Sequence, residues 1–489
     1  MARSRAAALA GALVASSVWV VAPAFAQSPP PAPETIALGD WQLAPALEVR
    51  TRGEYARDPV DVGGGVDSTG AAAPRVRNAG GILERSRLGI GADRGPLHVQ
   101  LTLQDARAWG VPSPTATLGA GGGGDASDGR LASFGAYEAF LEVHSSAARP
   151  SFVRVGRQAV VWGDGRLLGN ADWSPTARTL DAARAHLSLG AFDFELLATV
   201  LATAHPIGSA FGDASGFAQG GAQLYAAQVA WTLDPLFVAQ GFAFAKVART
   251  GGGGSDLSRG FGSARSEGET YTGALRIGGD SKGWRYALEG AYQIGNATRI
   301  GASGADRRAY AAAAYIQKAL ERVALTPTVR LGAAYASGDD GSGDYKQFDP
   351  ILPDVHAFHG AMDIFAWSNV VEGNARVTAQ PWSNATLGVE YRYAHLQDAK
   401  GEWLNAYLVG VGRAAANTST ELGHELDAFV LWAPLPSLDI VLGYSAFLAG
   451  DGARTILAAQ ARGSLQSNGT YAPSDLTHYG YLQATVRVP

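Results

Sequence analysis

The 489-residue sequence has no cysteine and only two methionines, so disulfide staples and thiolate chemistry play no part in this chain. It has no Lys/Arg-rich tract, and a formal charge of −5 lacks the basic footprint of a nucleic-acid binder. Beyond the N-terminal leader no apolar run reaches the roughly 18 residues a membrane-spanning helix needs. Long helical periodicity is scarce as well. What is abundant is glycine, 63 residues in a chain that is 47% hydrophobic. That apolar content is ordinary for a folded protein, so the glycines need a structural explanation.

Residues 1–26, MARSRAAALAGALVASSVWVVAPAFA, place Arg3 and Arg5 before an apolar run that ends in A-F-A, the pattern of a signal peptide cut before Gln27. Residues 27–40 are proline-rich and read as an extended lead-in. Residues 41–489 then form one domain of an exported chain.

The commonest pattern after Asp40 is a two-residue alternation, the period of a strand. Leu97, Val99, Leu101 and Leu103 alternate with His98, Gln100, Thr102 and Gln104. Tyr137, Ala139, Leu141 and Val143 stand against Glu138, Glu142 and His144, and Leu387, Val389, Tyr391 and Tyr393 against Thr386, Glu390 and Arg392. This criterion predicts about 18 strands: 41–52, 82–92, 97–105, 136–145, 151–161, 179–189, 192–202, 222–232, 237–248, 270–278, 284–294, 308–318, 325–337, 369–379, 385–394, 422–432, 438–447 and 478–488. Short connections such as DRGP (93–96), Gly190-Ala191 and APLPS (433–437) alternate with long Gly-, Ser- and Asp-rich ones at 106–135, 249–269, 338–368 and 448–477. An even strand number, sorted loop lengths and both termini on the short-turn side fit an all-β transmembrane antiparallel barrel in the outer membrane, with short periplasmic turns and long extracellular loops. Such a barrel satisfies its backbone between strands and leaves no edge in lipid. Glycines then belong in surface loops and beside bulky lumen side chains. Trp41, Trp231, Phe237, Trp284, Trp382 and Trp432, near strand ends, are expected in the interfacial girdles.

A charge on the lipid face at mid-depth costs about 2–4 kcal/mol, so charges opposite the apolar series should face the lumen. Arg50, Arg52, Arg85, Arg87, Arg154 and Arg184 meet this test, and Arg276, Arg330, Arg376 and Arg392 repeat it. Arg157 shares the parity of Val153 and Val155 and needs a bulge or a place at the rim. Lumen acids follow the same rule: Glu138, Glu142, Asp193, Glu195, Glu289, Glu372, Glu390, Glu425 and Asp427. Arginines beside carboxylates suit a pore for anionic sugar acids or carboxylates; mutual salt bridges that stiffen the wall are the alternative. The 106–135 loop, with its GAGGGG run, is a candidate lid.

Four stretches carry a family resemblance: VRVGRQAVVWGDGRLLGNADWSPTARTLDAARAHLSL (153–189), FDPILPDVHAFHGAMDIFAWSNV (348–370), LGHELDAFVLWAPL (422–435) and LGYSAFLAGDGA (442–453). In this order they resemble the alginate export family of outer-membrane barrels, over most of the chain. The resemblance implies 18 strands, a monomer, and an arginine-lined constriction passing an anionic polyuronate. By motif it carries Arg154, Arg157, Arg166, Arg178, Asp181 and Arg184, with Glu425 and Asp427 from the GHELD run. The sequence departs from the family in two places: APLPS is short where the alginate secretor has a long plug turn, and the last strand ends in Val488-Pro489 rather than an aromatic residue. An uptake porin for carboxylates or oligosaccharides is therefore the alternative within the class.

No enzyme, metal site or cofactor is expected. His186 and Ser188 resemble the start of an outer-membrane phospholipase triad, but parity points them into the lumen, and alanine stands at 198. Asp339, Asp340 and Asp344 lack the spacing of a calcium loop. The glycine runs at 121–124 and 251–254 lack the Lys-Ser/Thr of a phosphate-binding loop.

Overall fold

A computed structural model describes residues 34–58, 60, 78–111, 130–147, 149–202, 221–249, 268–298, 304–408, 410–464 and 475–488. The leader, the glycine runs at 121–124 and 251–254 and the centre of the candidate lid lie outside the described residues. A short strand β1 (Ile36–Leu38) within the lead-in pairs back on Leu43 to Trp41. The wall then runs β2 (Trp41–Arg57), β3 (Asn78–Arg94), β4 (Leu97–Val111), β5 (Arg130–His144), β6 (Phe152–Gln158), β7 (Leu180–Leu189), β8 (Phe192–Ala202), β9 (Gly221–Asp234), β10 (Phe237–Arg249), β11 (Gly268–Ser281), β12 (Trp284–Thr298), β13 (Gly304–Ala319), β14 (Thr328–Ala336), β15 (Val370–Trp382) and β16 (Ala385–His395). A small hairpin, β17 (Trp403–Leu404) with β18 (Gly410–Gly412), precedes β19 (Glu421–Leu435), β20 (Leu438–Ala449) and β21 (Leu476–Val488). Each wall strand pairs antiparallel with its neighbours in sequence, and β2 pairs with β21 from Leu47↔Val488 to Arg57↔His478. The result is a closed barrel of 18 strands.

Side chains alternate across the wall. In β13, Ala309, Ala311, Ala313 and Tyr315 are buried while Tyr310 and Ile316 are exposed, because the inner face meets packed chain and the outer face carries the apolar band expected toward lipid. Trp231, Trp284, Trp382 and Trp432 are exposed at the short-turn end, and Phe237 packs edge-on against Trp231. Tyr225, Tyr271, Tyr292, Tyr391 and Tyr444 are exposed toward the loop end. One sequence expectation changes phase: a bulge between Thr102/Leu103 and their partners on β5 makes Tyr137 an extra residue. Tyr137 is buried under the Arg87 guanidinium instead of sharing the outer face of Leu141 and Val143.

Two long connections also differ from solvated loops. Residues 451–464 form a helix, α1 (Asp451–Ser464), whose Ala453, Ile456 and Leu457 recur at helical spacing and are buried against Phe447 and Leu422. The connection after β14 folds into the barrel, as do those after β6 and β16.

Candidate functional site

The three inserted segments, 159–179, 337–369 and 396–420, build a plug from the loop side. Trp162, Leu167 and Leu168 of the first meet Phe348, Ile351, Leu352 and Trp367 of the second against inward Leu197, Leu224, Phe242 and Phe244 of the wall. Met362, Ile364, Phe365, Trp403 and Val411 form a second cluster with Phe447, Tyr479 and Tyr481. Fully burying one such side chain contributes on the order of 1.5–3 kcal/mol, so these are packed structures. The first two segments pair locally: the Gly169 amide donates to the Leu352 carbonyl at 2.8 Å, the Leu352 amide to Leu167 at 3.0 Å, and the Asp354 amide to Gly165 at 2.8 Å. That approach requires glycine at 169, where a Cβ would lie 2.7 Å from the Asp354 nitrogen.

Arginines of the wall grip this plug. Arg50 donates to the carbonyls of Asp172, Trp173 and Ser174 at 2.7–3.1 Å. Arg52 donates to Trp173 at 2.9 Å, covers its indole at 3.7 Å, and pairs with Glu54 at 2.5 Å. Trp173 in turn stacks on His356 of the second segment, with centroids 3.6 Å apart. Arg85 bridges Glu48 and Asp172, and Arg87 reaches Asp172 at 3.0 Å. Burial alone would raise the Asp172 carboxyl, but Arg85, Arg87 and Arg50 together hold it below the usual carboxylate range. Further round the wall, Arg154 pairs with Glu142 at 2.6 Å, Arg184 with Glu195 at 2.6 Å, Arg376 with Glu390, and Arg392 with Glu372 and Glu390 at 2.6 and 2.5 Å.

The remaining motif residues separate by location. Arg166 sits in the first inserted segment, buried under Phe358 and Trp367 with its guanidinium 4.2 and 5.1 Å from their rings. Arg178 is a tie between segments: its Nη1 donates to the carbonyls of Gly169, Leu352 and Pro353 at 2.8–2.9 Å. Burial lowers it to about 10 against the opposing charge of Asp354, and burial raises Asp354 to about 7. Glu425 and Asp427 face inward and accept the Met362 and Ala361 amides at 3.0 and 3.3 Å, so they anchor the second segment. Arg157 and Asp181 are corrected: they pair at 2.7 Å on the outer face at the loop-side rim, well exposed, because they share the parity of exposed Val153 and Val155. They do not line the lumen.

His186 and Ser188 do face inward. The imidazole Nε2 is 3.1 Å from the Ser188 hydroxyl, but that hydroxyl donates to Asp193 at 2.5 Å, an arrangement that points the serine hydrogen at the carboxylate rather than at the imidazole. Asp340 accepts from Ser342 and meets Lys346 within its own turn, and Asp344 meets Arg308 of β13. Three participants escaped the sequence reading: Asp172, Trp173 and His356. Asp172-Trp173 lies within the 153–189 run, but an interior contact leaves no periodic signal in a connection.

The model of the alginate export family matches residues 42–463. No curated protein matches the chain in sequence. Similar solved structures include Pseudomonas aeruginosa OccK8 (OprE), 9% identical over 91% of this chain and 98% of that one, with a TM-score of 0.54. The same comparison gives P. aeruginosa OccK2 (OpdF) in complex with glucuronate, 10% identical over 91% and 96% with a TM-score of 0.54. Acinetobacter baumannii OccAB2 is 10% identical over 91% and 98%, with a TM-score of 0.52. Identities this low speak for the fold alone.

Proposed function

We propose that this chain, which belongs to the alginate export family, is a monomeric outer-membrane channel that passes anionic solutes, with an alginate-like polyuronate as the solute class. The observation that carries the reading is the placing of inward arginines from β2, β3, β6, β7, β15 and β16 around a packed plug. Each arginine beside a carboxylate offers a contact that an anionic solute can share and leave, which is the balance conduction needs. The chemistry is non-covalent. Residues 1–26 act as the export signal in this reading, and the outer-membrane protein should begin at Gln27 by mass.

The test is the reversal potential of the refolded protein in a planar bilayer under a salt gradient, followed by addition of oligouronate. Anion preference with current block supports the channel. Cation preference, or no block, would show that the wall carboxylates neutralise the arginines and would leave a general porin. Uptake of small carboxylates is the second reading, favoured by the fold shared with OccK2, whose solved complex holds glucuronate; it predicts block by monomeric glucuronate as strong as by oligomers.

A further inference from the structure

Most inward arginines are already satisfied. Arg50, Arg85, Arg87, Arg154, Arg184, Arg276, Arg376 and Arg392 each contact a carboxylate, so a passing anion must compete for them. Arg330 differs. It stands at the short-turn end of β14, two residues into the strand, in register with Arg376 on β15. Among the described residues its side chain makes no hydrogen bond or ion pair, and its guanidinium lies 3.9 Å from the centre of the Tyr315 ring. Glu390 is a carboxylate whose charge it feels, and both oxygens of Glu390 are taken, one by Arg376 and one by Arg392.

The surroundings of Arg330 hold further polar groups without partners. The Tyr315 hydroxyl is buried with no hydrogen bond, and Arg166, whose charge reaches Arg330 from the inserted segment, keeps a buried Nη1 with none. Unsatisfied buried polar groups are uncommon in folded proteins and call for an explanation. Asn374 occupies the diagonal position on β15, opposite Gly332. Its amide lies across that glycine, where a Cβ would come 2.8 Å from Oδ1. Glycine at 332 thus leaves the space in which an amide and a guanidinium share one side of the lumen.

We propose that Arg330, Asn374 and Tyr315 form a carboxylate subsite, in which the Arg330 guanidinium takes the carboxylate of a uronate-type solute and the Asn374 amide and Tyr315 hydroxyl add neutral hydrogen bonds. The subsite rests on the anion-channel reading and names a point on the wall where an anion meets a guanidinium that holds no carboxylate among the described residues. A guanidinium suits this role because its planar fork can take both carboxylate oxygens, which a lysine ammonium cannot.

The test is calorimetric titration of the refolded, detergent-solubilised protein with glucuronate, and with neutral glucose as the uncharged comparison. Glucuronate should bind and glucose should not. Arg330→Gln should weaken glucuronate binding about 10- to 100-fold, the loss expected for charged hydrogen bonds. Arg330→Lys should fall between the two, and Asn374→Ala should cost about tenfold or less. Arg330 carries no ion pair, so its variants should fold, and a heat-modifiable gel shift verifies that they have. Unchanged affinity in Arg330→Gln, or no glucuronate binding by the wild type, overturns the subsite. The salt-gradient reversal potential is read separately, so a channel that prefers anions without binding at Arg330 would sink this inference and leave the functional reading standing.

Discussion

Asp172 is one carboxylate shared by three wall arginines, 3.7 Å from Arg50, 2.9 Å from Arg85 and 3.0 Å from Arg87. Asp172→Asn keeps the shape of the turn and removes its charge. It should therefore raise the anion preference of the current, seen as a reversal potential moved toward the anion's equilibrium value, and loosen the first inserted segment by about 1.5–3 kcal/mol for each charged hydrogen bond lost. Asp354 works in the opposite sense. Burial raises its carboxyl from the ordinary 3.8 to about 7, so the folded chain holds this proton more tightly than the unfolded chain. Raising the pH from about 4 to 7 then costs stability on the order of a few kcal/mol, with no further loss from this group above 7. Amide exchange in residues 159–179 and 337–369 should speed up over that window, and Asp354→Asn should flatten the dependence. An Asp354→Asn protein with the wild-type pH profile would refute the assignment.

At the scale of elements, strands and connections were unequally legible. All 18 wall strands were readable, because an inner face packed against chain and an outer face toward lipid impose a strict period of two. The exceptions have local causes: β6 ends at Gln158 rather than 161, and the Tyr137 bulge reversed one residue. The second inserted segment reads as a surface loop in sequence because its apolar residues follow no period. The legible signal was composition, since Phe348, Ile351, Leu352, Phe365 and Trp367 crowd one connection that water alone would not hold. Arg154 and Arg184 were placed in the lumen by parity, whereas the roles of Arg178, Glu425 and Asp427 as anchors depend on contacts between distant segments. Gly360 shows how tight one anchor is: its φ is +92°, and a Cβ there would fall 2.4 Å from both Glu425 oxygens. Gly360→Ala should cost about 1–3 kcal/mol through the strained backbone. It should release the 337–369 segment from the wall, observed as faster amide exchange there and larger, noisier single-channel currents. If exchange in this segment were unchanged, the anchor would be refuted.

For the whole molecule, closure is the event that distinguishes a barrel from a curled sheet, and it rests on strands at opposite ends of the chain. The β2/β21 ladder is reinforced on the inner face by Arg487, which reaches Glu48 on β2 at 3.3 Å and Asp439 on β20 at 2.7 Å. One guanidinium therefore ties three successive wall strands across the seam. The same Glu48 also receives Arg85 at 2.5 Å, which links the seam to the arginine cluster that grips the plug. Removing Arg487 leaves nearly buried Asp439 without this partner and frees one oxygen of Glu48, a loss of about 1.5–3 kcal/mol for a charged hydrogen bond. Interstrand bonding elsewhere in the wall is untouched, so Arg487→Ala should still insert and close. Its heat-modifiable form should convert to the unfolded gel position at a lower temperature than wild type, and amide protection should fall first along Leu47 to Arg57 and their β21 partners. Loss of protection spread evenly round the barrel would mean that the seam is no weaker than any other strand pair and that closure does not depend on this residue.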